Sequence, residues 1–151
     1  MKKISLAVFL LIILAVAAAV FLTGGKKGQG RVCFENNCFD VELAKSPSEQ
    51  EQGLMFKKSL APNKGMLFIY KDEANRSFWM KDTLIPLDMI WIGENREVVF
   101  ISENNQPCIN ELCPPISPDK NAKYILEVGA WTAKRIGLKV GDLSKLYYEV
   151  K

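Results

Sequence analysis

Histidine is absent from all 151 residues, and that absence removes more chemistry than any other feature of the composition. Within one chain it excludes Ser-His-Asp and Cys-His catalysis and every zinc site that needs an imidazole. Any reaction must then run on carboxylates, Lys, Tyr, hydroxyls or Cys. Excess charge is missing too. Residues 1–30 hold four Lys and no acid, which leaves 16 basic and 17 acidic side chains over the remaining 121 residues, a balance of −1. A near-neutral body has no electrostatic pull on nucleic acid, so no nucleic-acid partner is expected. There is no internal repeat, no C-x-x-C redox motif and no Cys just behind the N-terminal apolar run. The last of these absences removes a lipoprotein processing site. No cofactor is implied.

What is present begins with that run. Met1-Lys2-Lys3 precedes Ile4 to Leu22, broken in polarity only by Ser5. As a helix it would span roughly 28 Å, close to the hydrocarbon thickness of a bilayer. Thr23 to Gly30 follows with the Gly and Lys content of a flexible linker. A cleaved signal peptide is the competing reading, with Ala15-Val16-Ala17 or Ala17-Ala18-Ala19 as cleavage sites. Val20-Phe21-Leu22 continues the run past both, which favours an uncleaved single-pass anchor through residues 4–22. Lys2 and Lys3 favour a cytoplasmic N-terminus, although Lys26 and Lys27 weaken the asymmetry. Four Cys behind such a segment suggest disulfides in an oxidising compartment. The expected organisation is therefore an anchor and linker over residues 1–30, and one extracytoplasmic domain over residues 31–151.

Short strands dominate that domain. Arg31 to Phe34 and Cys38 to Leu43 read as a hairpin turning at Glu35-Asn36, with Cys33 opposite Cys38 at a non-hydrogen-bonded position. Ser46-Pro47-Ser48-Glu49 is a capping box opening a short helix that stops at Gly53. Further strands are expected at Gly65 to Tyr70, Arg76 to Met80, Leu87 to Ile92, Glu97 to Ile101, Tyr124 to Val128 and Leu146 to Val150. A turn is expected at Lys71 to Asn75, and a second short helix at Trp131 to Ile136, ending at Gly137. Ser102 to Lys123 reads as a long proline-rich loop pinned by Cys108 and Cys113. Each cysteine pair is spaced C-x₄-C, so a four-cysteine metal site is the alternative to disulfides, but the exported context favours bonded sulfurs and no metal. Such a pattern predicts a mainly β domain with two short helices, either an antiparallel β-sandwich or a partly open β-barrel.

Candidate site residues fall in three places. Strand alternation sends Phe78 and Met80 inward, leaving Trp79 and Lys81 on an exposed face that could hold a sugar ring or an anionic group. Asp88 sits in the apolar stretch Leu84 to Ile92. If buried there, it needs Lys81, Arg76 or backbone N–H groups as partners, or it becomes an acid of raised pKa. Glu103 and Asn104 open the long loop, and Glu103 with Asp82 or Asp88 could supply a glycosidase-type carboxylate pair. Tyr70, Trp91 and Trp131 read as core.

Gln52-Gly53-Leu54-Met55, Gly65-Met66-Leu67-Phe68 and above all Phe78 to Asp88 resemble domain-of-unknown-function family 192, an uncharacterised bacterial and archaeal family. Glu103-Asn104, Pro107-Cys108, Cys113-Pro114, Tyr124 to Glu127 and Gly137 to Asp142 extend the resemblance over roughly residues 40–150. It implies a compact β-rich domain, often behind an export segment, and no established activity. The family usually shows Asn where this chain has Asp82, so the resemblance carries no side-chain amide role to this position. The functional expectation is a ligand-binding module for a glycan, an envelope polymer or an envelope protein. The alternatives are a carboxylate-dependent hydrolase or transferase, and an assembly protein that docks through its cysteine loop.

Overall fold

The computed structural model describes residues 28–109 and 112–149. The expected anchor and the linker up to Lys27 lie outside the described residues. Among those described, no helix is long and apolar enough to cross a bilayer. The elements run β1 (Gln29–Phe34), β2 (Asn37–Ala44), α1 (Pro47–Gln52), β3 (Lys64–Asn75), β4 (Leu87–Ile92), β5 (Val98–Asn105), β6 (Asn121–Gly129), α2 (Thr132–Ile136) and β7 (Ser144–Tyr148).

The seven strands form one sheet in the order β5-β4-β6-β3-β2-β1-β7. Its two edges approach each other at one end. Glu97 bridges Leu143, Val98 N–H donates to the Asp142 carbonyl at 2.9 Å, and Ser144 N–H donates to the Arg96 carbonyl at 2.9 Å. The single sheet therefore curls into a partly open barrel, one of the two architectures the strand pattern predicts, and not into the two-sheet sandwich. Inside it lies a core built on Val32, Phe39, Leu67, Ile90, Leu126 and Val128. A second core, including Met66, Phe68, Met89, Trp91 and Ile125, covers the outer face of β3, β4 and β6. β4, most of β6 and the Gly65 to Phe68 stretch of β3 are buried on both faces, which is why these stretches are almost continuously apolar.

Local signals become structure where chain-local chemistry suffices. Cys33 pairs with Cys38 across the β1–β2 hairpin, and their sulfurs are bonded. Cys108 is bonded to Cys113, so no sulfur is left for the four-cysteine metal alternative. Ser46 and Glu49 form the reciprocal capping box at the start of α1. Gly137 closes α2 in the left-handed region at φ 69°.

Three expectations need correction. The strand count falls from about eight to seven, because Arg76 to Met80 contributes only an isolated bridge between Phe78 and Ile116. Its Phe78/Met80 alternation is that of a loop laid over the outer sheet face. The expected turn at Lys71 to Asn75 is instead the far half of β3, which re-pairs with β6 at Ala74–Ala122 after an irregularity. Lastly, β2 and β3 are parallel. Residues 45–63 are long enough to return the chain to the start of the sheet, as a parallel connection requires. A six-residue helix within them gives no crossover signature.

Candidate functional site

The outer core is open at one point. A cavity of about 310 Å³ lies among the carbonyl end of α1, the start of the following turn, β3, the loop over residues 77–83 and β6. Four aromatic side chains, Phe68, Tyr70, Phe78 and Trp79, contribute to its walls. Phe68 and Phe78 meet edge to face at a centroid distance of 4.8 Å, and Phe78 packs on Trp91 in the same way at 5.7 Å, so this wall is anchored in the core.

Glu127 also lines the cavity. It occupies an outward-facing position of β6, between Met66 on β3 and Met89 on β4. The residue is only 4 % exposed, and its Oε2 is buried without a hydrogen-bond partner. Burial favours the uncharged form and pushes this carboxyl up to about 8. At neutral pH the cavity therefore holds a carboxylic acid, able to donate one hydrogen bond as well as accept. Gly53 leaves room beside it. A Cβ at that position would lie 3.7 Å from Glu127 Oε2 and 3.2 Å from Phe68 Cζ, and Gly53 has φ +47°, which disfavours any side chain. Tyr70 is half-buried against the cavity, where burial raises its phenol above the usual value against the opposing pull of the Arg76 charge. The Arg76 guanidinium stacks 4.1 Å from its ring centroid.

Strand-like alternation holds for the central block even though it is a loop. Met80 is buried, Phe78 is half-buried, and Trp79 is 47 % exposed with Lys81 Nζ 5.6 Å from its ring centroid. Trp79 and Lys81 both line the cavity, while Asp82 belongs with them to a shallower depression alongside. Asp82 is in the left-handed region at φ 53°, and its backbone is tied at both ends. Its N–H donates to the Cys108 carbonyl at 2.9 Å, and its carbonyl accepts from Phe56 N–H at 2.9 Å. Asn and Asp are the side chains best tolerated in that conformation. The exchange of Asn for Asp is thereby explained by backbone geometry, with no amide role needed.

Asp88 lies on the opposite face of the sheet, fully buried, and neither Lys81 nor Arg76 pairs with it. Backbone N–H groups of Asn104 and Trp131 donate to its Oδ1 at 2.8 and 2.9 Å, and that of Ala133 donates to Oδ2 at 2.8 Å. One carboxylate thus holds two residues at positive φ, Asn104 and Trp131, and caps the start of α2, whose N-cap Trp131 offers no side-chain bond of its own. The Asn104 side-chain oxygen accepts from Gln106 at 2.8 Å, and Glu103 is exposed on the edge strand β5. Asp88 and Asn104 are therefore brought together as a brace. Asp82 lies in the loop over the outer face and Asp88 is buried beneath the sheet, while Glu103, the proposed partner of either, is exposed on β5. Trp91 is core, as expected, whereas Tyr70 walls the cavity and Trp131 is 50 % exposed.

The residue that sequence reasoning passed over is Glu127. Its signal was present: one carboxylate in Tyr124-Ile125-Leu126-Glu127-Val128 poses the same desolvation problem as Asp88 in its own apolar strand. Gly53 was legible as a helix stop, and its second role as open space beside Oε2 depends on tertiary packing. Among the described residues, no cluster of three or more Cys, Asp or Glu side chains is arranged to hold a metal ion.

Two solved structures resemble this fold. One is a protein from Sinorhizobium meliloti provisionally named a transcription regulator, with 36 % identity and a TM-score of 0.70, covering 79 % of this chain and 92 % of that one. The other is a protein of unknown function from Novosphingobium aromaticivorans, with 32 % identity and a TM-score of 0.68, covering 78 % and 83 %. No curated protein matches at a significant level. Residues 31–146 match the family described as "Uncharacterized ACR", and the chain belongs to this family, domain-of-unknown-function family 192.

Proposed function

We propose that the domain is a binding module for a small ligand, carried outside the cytoplasm on an N-terminal membrane anchor. The observation that carries the binding reading is the buried Glu127 carboxyl, with an unpartnered oxygen, at a cavity walled by aromatic side chains. An unpartnered buried polar atom costs about 1–3 kcal/mol, and a binding site is one context in which that cost is retained. The cavity is at the small end of ligand-site volumes, which favours a compact molecule or the terminal group of an envelope component over a polymer chain. Trp79 and Lys81 at its edge would contact the outer part of the ligand. The export setting is supported by the long apolar run ahead of a domain closed by two disulfides.

The test is a thermal-shift screen of the full chain in detergent against small envelope-derived molecules and fragments. Ligands of the cavity should raise Tm in the wild type and lose that effect in Gly53→Leu, whose side chain enters the space beside Glu127. Trp79→Ala should weaken the same ligands by about tenfold, the usual scale for one aromatic contact. Hits that ignore Gly53→Leu, or a screen with no hits, would remove the cavity as the functional site.

A further inference from the structure

We propose that the ligand of this cavity is a protonated amine, its ammonium seated on Glu127 and its apolar body held among Tyr70, Phe78 and Trp79. This rests on the binding-module reading and narrows it to organic cations. The first reason is the state of the floor. Glu127 Oε2 has no hydrogen-bond partner, and a carboxylate oxygen can be satisfied only by a proton or by a donor. Burial without a donor favours the protonated form and pushes the group up to about 8. A ligand N–H⁺ supplies both the missing donor and the missing positive charge, so it can displace that proton.

Second, the surroundings suit a cation. Aromatic side chains attract ammonium groups through their ring quadrupoles, by about 0.5–2 kcal/mol per contact according to exposure. Two of these rings already hold a cation of the protein itself: Lys81 lies over Trp79, and Arg76 over Tyr70. The wall contributed by α1 is its carbonyl end, with no basic residue in the last turn, and Glu51 adds a carboxylate. The opposing charges are offset. Arg76 is bonded to Asp72 at 2.9 Å, and Lys81 is exposed at the edge, where solvent screens it. An anionic ligand would instead meet Glu127 and Glu51.

A neutral acceptor, bonded to protonated Glu127, is the competing ligand class, and the sign of the pH dependence separates the two. The ionisable groups lining the cavity with Glu127 are Tyr70 on β3, Lys81 in the loop and Glu51 on α1. Tyr70 is raised above its ordinary value, so it stays uncharged through neutral pH. An amine must release the Glu127 proton when it binds below pH 8, so its affinity rises with pH. A neutral acceptor needs that proton and weakens as pH rises through 8.

The experiment titrates the ¹⁵N-labelled full chain, in nanodiscs of zwitterionic lipid, with benzylamine, benzyl alcohol and benzoate, which share a ring and differ in charge. Shifts of the Gly53 amide and the Trp79 indole N–H report occupancy. Benzylamine should bind best, and its affinity should rise at least about tenfold between about pH 6 and about pH 8.5. Glu127→Gln should abolish that pH dependence and weaken benzylamine by at least about tenfold, while spectral dispersion reports that the variant is folded. Preferential binding of benzyl alcohol or benzoate, or benzylamine affinity that is flat in pH, overturns the amine assignment and leaves the cavity as a binding site. If none of the three compounds moves either signal, both readings fail.

Discussion

At the scale of single residues, two carboxylates in neighbouring apolar strands meet the same desolvation cost and resolve it in opposite ways. Asp88 accepts three backbone N–H bonds and serves the fold; Glu127 lacks a partner for one oxygen and keeps its proton. This difference is measurable. Glu127 is raised from 4.5 to about 8, so between these values the folded state binds the proton and the unfolded state does not. Its contribution to stability is complete below pH 4.5, declines as pH rises through the window and is gone above 8, with a slope of up to about 1.4 kcal/mol per pH unit. Glu127→Gln, which cannot ionise, should therefore match the wild type near pH 5 in urea denaturation and exceed it by several kcal/mol near pH 8.5. Parallel pH profiles for the two proteins would show that Glu127 is not a buried acid. Asp88→Asn should behave differently. Replacing an accepting oxygen by an NH₂ group sets donor against donor, so a loss of about 2–4 kcal/mol is expected across the neutral range. A Gln that stabilises and an Asn that destabilises would distinguish a site residue from a brace.

The elements around the cavity are held by local devices whose strengths can be ranked. Ser46→Ala removes the α1 cap and should cost about 1 kcal/mol in denaturant unfolding. Opening Cys33–Cys38 should cost about 2 kcal/mol by the chain-entropy model for so short a ring. The Cys108–Cys113 bond acts more locally. It closes the loop that runs from Cys108, bonded through its backbone to Met80 and Asp82, to Ile116, which bridges Phe78. Cys108→Ser with Cys113→Ser should thus speed proteolysis within residues 106–120 and loosen the aromatic wall before it lowers global stability. Simultaneous loss of both would place this disulfide in the main core instead. These elements also mark how far the sequence could be read. The hairpin, the capping box, the glycine stops and the disulfide partners are encoded by residues within a few positions of each other, and all are found. The parallel β2–β3 pair is set by contacts between distant segments, and the length of β3 by pairing with β6, and neither leaves a periodic trace. The cavity belongs to this second class. Trp79 and Lys81 could be picked out by alternation, but their meeting with Glu127 and Gly53 required the register of β6 and the path of the chain after α1.

For the whole molecule, the two disulfides and the charge distribution bear on where the chain works. All four positive charges of residues 1–30 flank the apolar run, and the rest of the chain is nearly neutral. That body has no net positive charge to draw it to anionic lipid, so if residues 4–22 are the anchor proposed above, membrane association should depend on them. Deleting residues 2–27 should release the protein from the membrane fraction, whereas high salt or carbonate washing of the full chain should not. The same setting determines the sulfurs. If the domain faces an oxidising compartment, a membrane-impermeant thiol reagent applied to intact cells should find Cys33, Cys38, Cys108 and Cys113 unreactive until a reductant is added, and reactive from outside afterwards. Labelling only after the membrane is broken would put the domain on the cytoplasmic side. There the disulfides would have to persist against the reducing pool, and the proposal of a ligand met outside the cytoplasm would fail even if the cavity binds amines.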